Sequence, residues 1–96
     1  MKVEIYSRKQ HCPYCVRAKD IMKSLNMDFE EYMAGRDITI DELKKEVMKR
    51  SGVKVETVPV IFIDNKLIGG MDDFERWVNK NEVLLLGSDL VLDDEL

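Results

Sequence analysis

The chain has 96 residues, 45% of them hydrophobic and 35% charged, with a formal net charge of −4. That bounds it to one small domain with a modest core. No basic surface of the kind a phosphate backbone requires is present, so nucleic-acid binding is not expected.

Residues 2–7 read as a strand, with Val3 and Ile5 on one face and Lys2, Glu4 and Tyr6 on the other. Arg8-Lys9-Gln10-His11 is a polar loop. Pro13 suits the first turn of a helix that runs to about Asn26. Cys15, Ala18, Ile21, Met22 and Leu25 are spaced for its buried face, and Arg17, Lys19, Asp20 and Lys23 for its wet face. Asp28 to Met33 is a second strand. Thr39 and Glu42 have capping-box spacing and open a second helix with Ile40, Leu43, Val47 and Met48 as its apolar positions. Gly52 terminates it. Val58 to Ile63, apolar and β-branched, is a central strand. Asp64-Asn65-Lys66 turns the chain into a short antiparallel strand at Leu67-Ile68. Asp72 is expected to cap a last helix that carries Phe74, Trp77 and Val78 inward.

The order β-α-β-α-β-β-α predicts an α/β fold, a four-stranded mixed sheet flanked by three helices. Residues 1–81 form the domain. Residues 82–96 hold five acids and no base, and are an acidic tail or extension, either packing its leucines or loosely held. No apolar run, Val58 to Ile63 and Val83 to Leu86 included, approaches the ~18 residues of a membrane span. The start of the chain lacks the apolar core of a secretory signal. These features predict a cytoplasmic protein with no membrane partner.

The cysteine inventory is Cys12 and Cys15. A pair three apart closes too small a loop to stabilise a fold much. It stands instead as Cys12-Pro13-Tyr14-Cys15, between a strand and a helix start, a thioredoxin-like redox signature. Residues i and i+3 share one side of a helical turn, so their sulfurs can join with little backbone movement. Cys12 lies at the helix N-terminus, where free N–H groups and the dipole favour negative charge and lower a thiol's pKa. Cys15 lies a turn deeper, on the apolar face. The asymmetry makes Cys12 the attacking thiol and Cys15 the resolving one. Zinc is not expected, because two thiols and His11 fall short of its usual four ligands. A pair of buried core cysteines is the bland alternative.

At Cys12-Pro13-Tyr14-Cys15-Val16-Arg17-Ala18-Lys19-Asp20 the chain resembles the dithiol glutaredoxins, most closely the bacterial ones that serve ribonucleotide reductase. Val55 to Pro59, Ile61 to Asp64, and Ile68-Gly69-Gly70 with Asp73-Phe74 continue the likeness to about Asn81. The resemblance implies a thioredoxin fold and a glutathione-dependent thiol–disulfide oxidoreductase, with glutathione as co-substrate and no metal. It implies a redox poise of roughly −200 to −230 mV. It also implies a glutathione site. Thr57-Val58-Pro59 matches a cis-proline loop in which the backbone of Val58 pairs with the ligand's cysteine. Gly69-Gly70-Met71-Asp72-Asp73 matches the loop that holds the γ-glutamyl end. Lys9, or Arg8 in another loop register, matches the basic partner of the glycine carboxylate. Tyr14 flanks the ligand. Protein disulfides and glutathionylated proteins are the implied substrates, ribonucleotide reductase by resemblance alone, and a monomer is expected. His11 and Met71 depart from the family pattern. Two rival readings are a cluster-bridging iron–sulfur carrier and a thioredoxin served by a flavoprotein reductase.

Overall fold

In the computed structural model, which describes residues 1–81, the elements follow in the order β1 (Val3–Arg8), α1 (Pro13–Ser24), β2 (Phe29–Ala34), α2 (Ile40–Ser51), β3 (Val60–Ile63), β4 (Lys66–Gly69) and α3 (Met71–Lys80). The expected extension at 82–96 lies outside the described residues. The sheet order is β2-β1-β3-β4, with β2 parallel to β1, β3 antiparallel to β1 and β4 antiparallel to β3. This is the mixed four-stranded sheet that the element order predicts. Among the described residues no helix is long and apolar enough to cross a membrane.

Each sheet face has its own core. Val3, Ile5, Ile61 and Ile63 pack with Ala18 and Met22 of α1 and with Met71 and Phe74 of α3. On the opposite face Tyr6, Val60 and Phe62 pack with Leu43 and Val47 of α2. The sheet is thus covered on both sides, and β1, one of its two inner strands, is buried from Val3 to Ser7. Glu4, on the strand face it shares with Tyr6, is only 4% exposed beneath α2.

The buried charge is matched. Arg50, at the end of α2, donates to both Glu4 carboxylate oxygens, at 2.7 and 3.2 Å. It also donates to the Tyr6 hydroxyl at 3.0 Å and to Asn65 Oδ1 at 3.1 Å, and lies 3.9 Å from the centroid of the Phe62 ring. Burial pushes the Tyr6 hydroxyl pKa up, and Arg50 opposes that shift without reversing it.

Local signals fix most element ends. Thr39 and Glu42 form the reciprocal cap of α2, Thr39 N–H to Glu42 Oε1 at 2.9 Å and Glu42 N–H to Thr39 Oγ1 at 3.1 Å. Gly52 closes that helix in the left-handed region at φ 74°. Asp64 and Asn65, at φ 51° and 67°, make the two-residue primed turn that suits a twisted hairpin. Three expectations shift. Ile40 and Met48 are 47% and 43% exposed, since Ile40 occupies the first turn and Met48 lies about 100° round the helix from Val47. The third sheet strand begins at Val60 because Pro59, after a cis Val58–Pro59 bond, has no N–H to pair. The cap of α3 is Gly70 rather than Asp72: the chain is already helical at Met71, and the Asp73 carboxylate accepts the Gly70 N–H at 3.2 Å.

Candidate active site

Strand β1 delivers the chain through Arg8 to His11, which sits in the left-handed region at φ 50°. The Arg8 guanidinium donates to the His11 carbonyl and ties the loop down. Cys12 follows as the N-cap of α1 and Pro13 as its first residue. The two sulfurs are bonded, with the Cα atoms 5.2 Å apart. The Cys15 N–H points at Cys12 Sγ, at 3.3 Å. The first turn of α1 carries no acid, so nothing there competes with a negative charge on that sulfur. Cys15 is 2% exposed, whereas Cys12 is half-buried and Tyr14 exposed. The geometry gives one sulfur access and electrostatic support and shelters the other.

Beside the dithiol, Tyr14, Thr57, Val58, Pro59, Gly70, Met71, Asp72 and Asp73 line a cleft of about 270 Å³. Pro59 and Met71 are buried, and the Met71 side chain belongs to the core under α1 and α3. Asp73 is held by the Gly70 N–H and by the Arg76 guanidinium. Lys9 is not in this cleft. It lines a separate depression of about 680 Å³ with Arg8, Gln10, His11, Ala34 and Gly35.

Gly69 sits directly behind Asp73, at φ 122°, and a Cβ there would meet the Asp73 Cγ at 2.8 Å. A Gly69→Ala change therefore combines backbone strain with displacement of a cleft carboxylate. The expected cost is about 1–3 kcal/mol in urea denaturation. Gly52→Ala is the control: its φ is also positive, but nothing lies within 4 Å of the added carbon. A smaller loss is expected there, and equal losses would remove the steric part of this account.

A polar cluster that the sequence reading missed lies on the α1 face of the sheet. Ser7 Oγ donates to Glu31 Oε2 at 2.6 Å, and Lys19 Nζ reaches the same oxygen at 2.8 Å. Ser7 is fully buried, and the Lys19 and Glu31 side chains are 20% and 16% exposed. Lys19 thus leaves the wet face assigned to it. No local pattern marks a pairing between residues 12 and 24 positions apart. Burial alone would raise the Glu31 pKa, but the bonds from Lys19 and Ser7 outweigh it and hold the carboxyl below its ordinary value. A lowered folded pKa stabilises the protein above the unfolded value, near 4.5, and that gain is lost as pH falls through the folded value. The stability difference between wild type and Glu31→Gln in urea melts is expected to be largest near neutrality and to shrink below about pH 4.

The glutaredoxin family model matches residues 3–68. Glutaredoxin 1 of Escherichia coli K12 is 41% identical over 83 residues, spanning 84% of this chain and 96% of that protein. The chain belongs to the glutaredoxin family. The solved structure of reduced Escherichia coli glutaredoxin superposes with a TM-score of 0.68 at 38% identity, over 84% of this chain and 96% of that one. A buckwheat glutaredoxin–glutathione complex gives a TM-score of 0.68 at 27% identity, over 88% and 74% of the two chains. As a glutaredoxin the chain is a thiol–disulfide oxidoreductase with a redox-active cysteine pair, and glutathione is the family's substrate.

Proposed function

We propose that Cys12 is the nucleophile and Cys15 the resolving thiol, with glutathione bound in the cleft between Tyr14, the Thr57–Pro59 loop and the start of α3. The Cys12 thiolate attacks a disulfide of a substrate protein, giving a mixed disulfide and a released thiolate that takes up a proton. Cys15 loses its proton and attacks Cys12 Sγ, which frees the reduced substrate and leaves the Cys12–Cys15 disulfide. One glutathione thiolate attacks Cys12 Sγ and restores Cys15. A second attacks the glutathione sulfur, releasing oxidised glutathione and the Cys12 thiolate. A glutathionylated protein needs Cys12 alone.

The observation that carries this is the placement of Cys12 Sγ at the α1 N-cap, receiving the Cys15 N–H, while Cys15 is 2% exposed. The cleft supports the ligand assignment. Its backbone at Val58, before the cis Pro59, suits strand-like pairing with the ligand's cysteine. The free N–H groups of the first turn of α3 suit a carboxylate, and Asp72 and Asp73 suit an ammonium group. Lys9 lines a separate depression with His11, the residue before Cys12. The solved buckwheat glutaredoxin holds glutathione. In this reading the protein acts as a cytoplasmic monomer, with ribonucleotide reductase among its substrates.

The test is electron supply. Reduction of a protein disulfide is expected to proceed with glutathione, glutathione reductase and NADPH, and to stay near background with thioredoxin reductase and NADPH. The reverse pattern would overturn the glutathione assignment.

A further inference from the structure

The resolving step asks a buried thiol to ionise. Burial among apolar groups raises a thiol's pKa, and the attacking species is the thiolate. Cys15 is 2% exposed and packs beside Ala18 and Met22 on the inner face of α1.

Lys19 stands one helical turn after Cys15. Side chains at i and i+4 are neighbours on one helix face, about 5–6 Å apart at Cβ, so the Lys19 side chain starts from beside that of Cys15. The Lys19 ammonium is held in place rather than left to wave in solvent: it is 2.8 Å from Glu31 Oε2, which also accepts the Ser7 hydroxyl at 2.6 Å. The register locates the cluster. Glu31 pairs with Ile5, but its carboxylate is bonded to Ser7, two residues further along β1, so it is angled toward the end of the sheet from which the Cys12 loop departs.

We propose that the Lys19–Glu31 pair is a positioning device for the resolving thiol: Lys19 supplies the positive charge that favours the Cys15 thiolate, and Glu31, anchored by Ser7, fixes and partly offsets that charge. This rests on Cys15 being the resolving thiol. Lys19 stays protonated throughout, and the Cys15 proton passes to solvent or to the departing thiolate. Among the described residues, the charged and titratable groups around the site are Cys12 at the α1 N-cap, Lys19 on α1 and Glu31 on β2, with Arg36 acting on Glu31 from beyond the end of β2. From α3 the neighbouring core supplies apolar Met71 and Phe74, and the Arg17–Glu75 pair between α1 and α3 lies at the surface.

The two partners act in opposite directions, which separates tuning from mere support. The measurement is the pH dependence of thiolate ultraviolet absorbance in reduced Cys12→Ser protein, where Cys15 is the single thiol. Adding Lys19→Met is expected to raise the Cys15 midpoint by roughly one unit, a tenfold smaller thiolate fraction at neutral pH. Adding Glu31→Gln leaves Lys19 uncompensated and is expected to lower the midpoint. Lys19→Arg keeps the charge and is expected to restore it. If Lys19→Met does not fold, Glu31→Gln against the Cys12→Ser parent decides. A midpoint that moves the same way in both neutralising variants, or in neither, overturns the proposal. Failure of the underlying role assignment is read separately: in protein with both thiols and no further change, Cys15 would then be alkylated before Cys12.

Discussion

Cys12→Ser is expected to lose both protein-disulfide reduction and deglutathionylation, each by on the order of a thousandfold or more, because the attacking sulfur is gone. Cys15→Ser is expected to lose the first activity and keep the second within about a few-fold, since release of glutathione from a mixed disulfide needs only the outer sulfur. The difference follows from the helix start. Cys12 occupies the N-cap, takes the Cys15 N–H on its sulfur and faces a first turn without acids. Cys15 sits on the inner face and is almost fully covered. Its natural reaction is with the sulfur beside it rather than with a substrate in solution. Turnover with a small protein disulfide and with a glutathionylated peptide checks both variants, and equal loss of both activities in Cys15→Ser would remove the division of labour.

The redox pair was legible because everything that makes it reactive is local: two cysteines a turn apart, a proline suited to the first helical position, and a preceding strand. The cap of α2 by Thr39 and Glu42, its stop at Gly52 and the Asp64-Asn65 hairpin were legible for the same reason. Features that depend on what covers a strand were not. Alternation along β1 put Glu4 on the face opposite Val3 and Ile5 but could not show what covers it: α2 packs over that face and brings Arg50, 46 residues away, onto the carboxylate. Lys19 follows the helical period of a surface residue, and only the lay of α1 beside β2 turns it to Glu31. The cleft gathers Tyr14, the Thr57–Pro59 loop and the Gly70–Asp73 loop from three parts of the chain, an arrangement the family likeness implied and no local spacing could supply. Lys9 lines a different depression, with Arg8 and His11.

The Glu4–Arg50 pair carries the largest stability effect expected from one substitution. Glu4 is 5% exposed at its side chain and Arg50 17%. Removing one member of a buried pair leaves an uncompensated charge, at a cost of about 3–5 kcal/mol. The two deletions are not equivalent. Among the described residues Arg50 is the cation bonded to the Glu4 carboxylate, and without it both of those bonds go, and the Phe62 ring and the Tyr6 hydroxyl lose their partner as well. Without Glu4 the guanidinium keeps Tyr6, Asn65 and the ring, and its greater exposure gives it water. Arg50→Met is therefore expected near the top of that range and Glu4→Gln well below it. For a domain of this size each 1 kcal/mol moves Tm by roughly 4–8 °C, so Arg50→Met is expected to lower Tm by more than about 15 °C. Replacing both residues with apolar ones of similar volume is expected to recover most of the loss, since a matched buried pair gains little over good apolar packing. Urea melts of the two single variants and the double variant close the cycle. Equal costs for the two single changes, or a double variant no better than Arg50→Met, would show that the cost lies in lost packing around α2 and not in the stranded carboxylate.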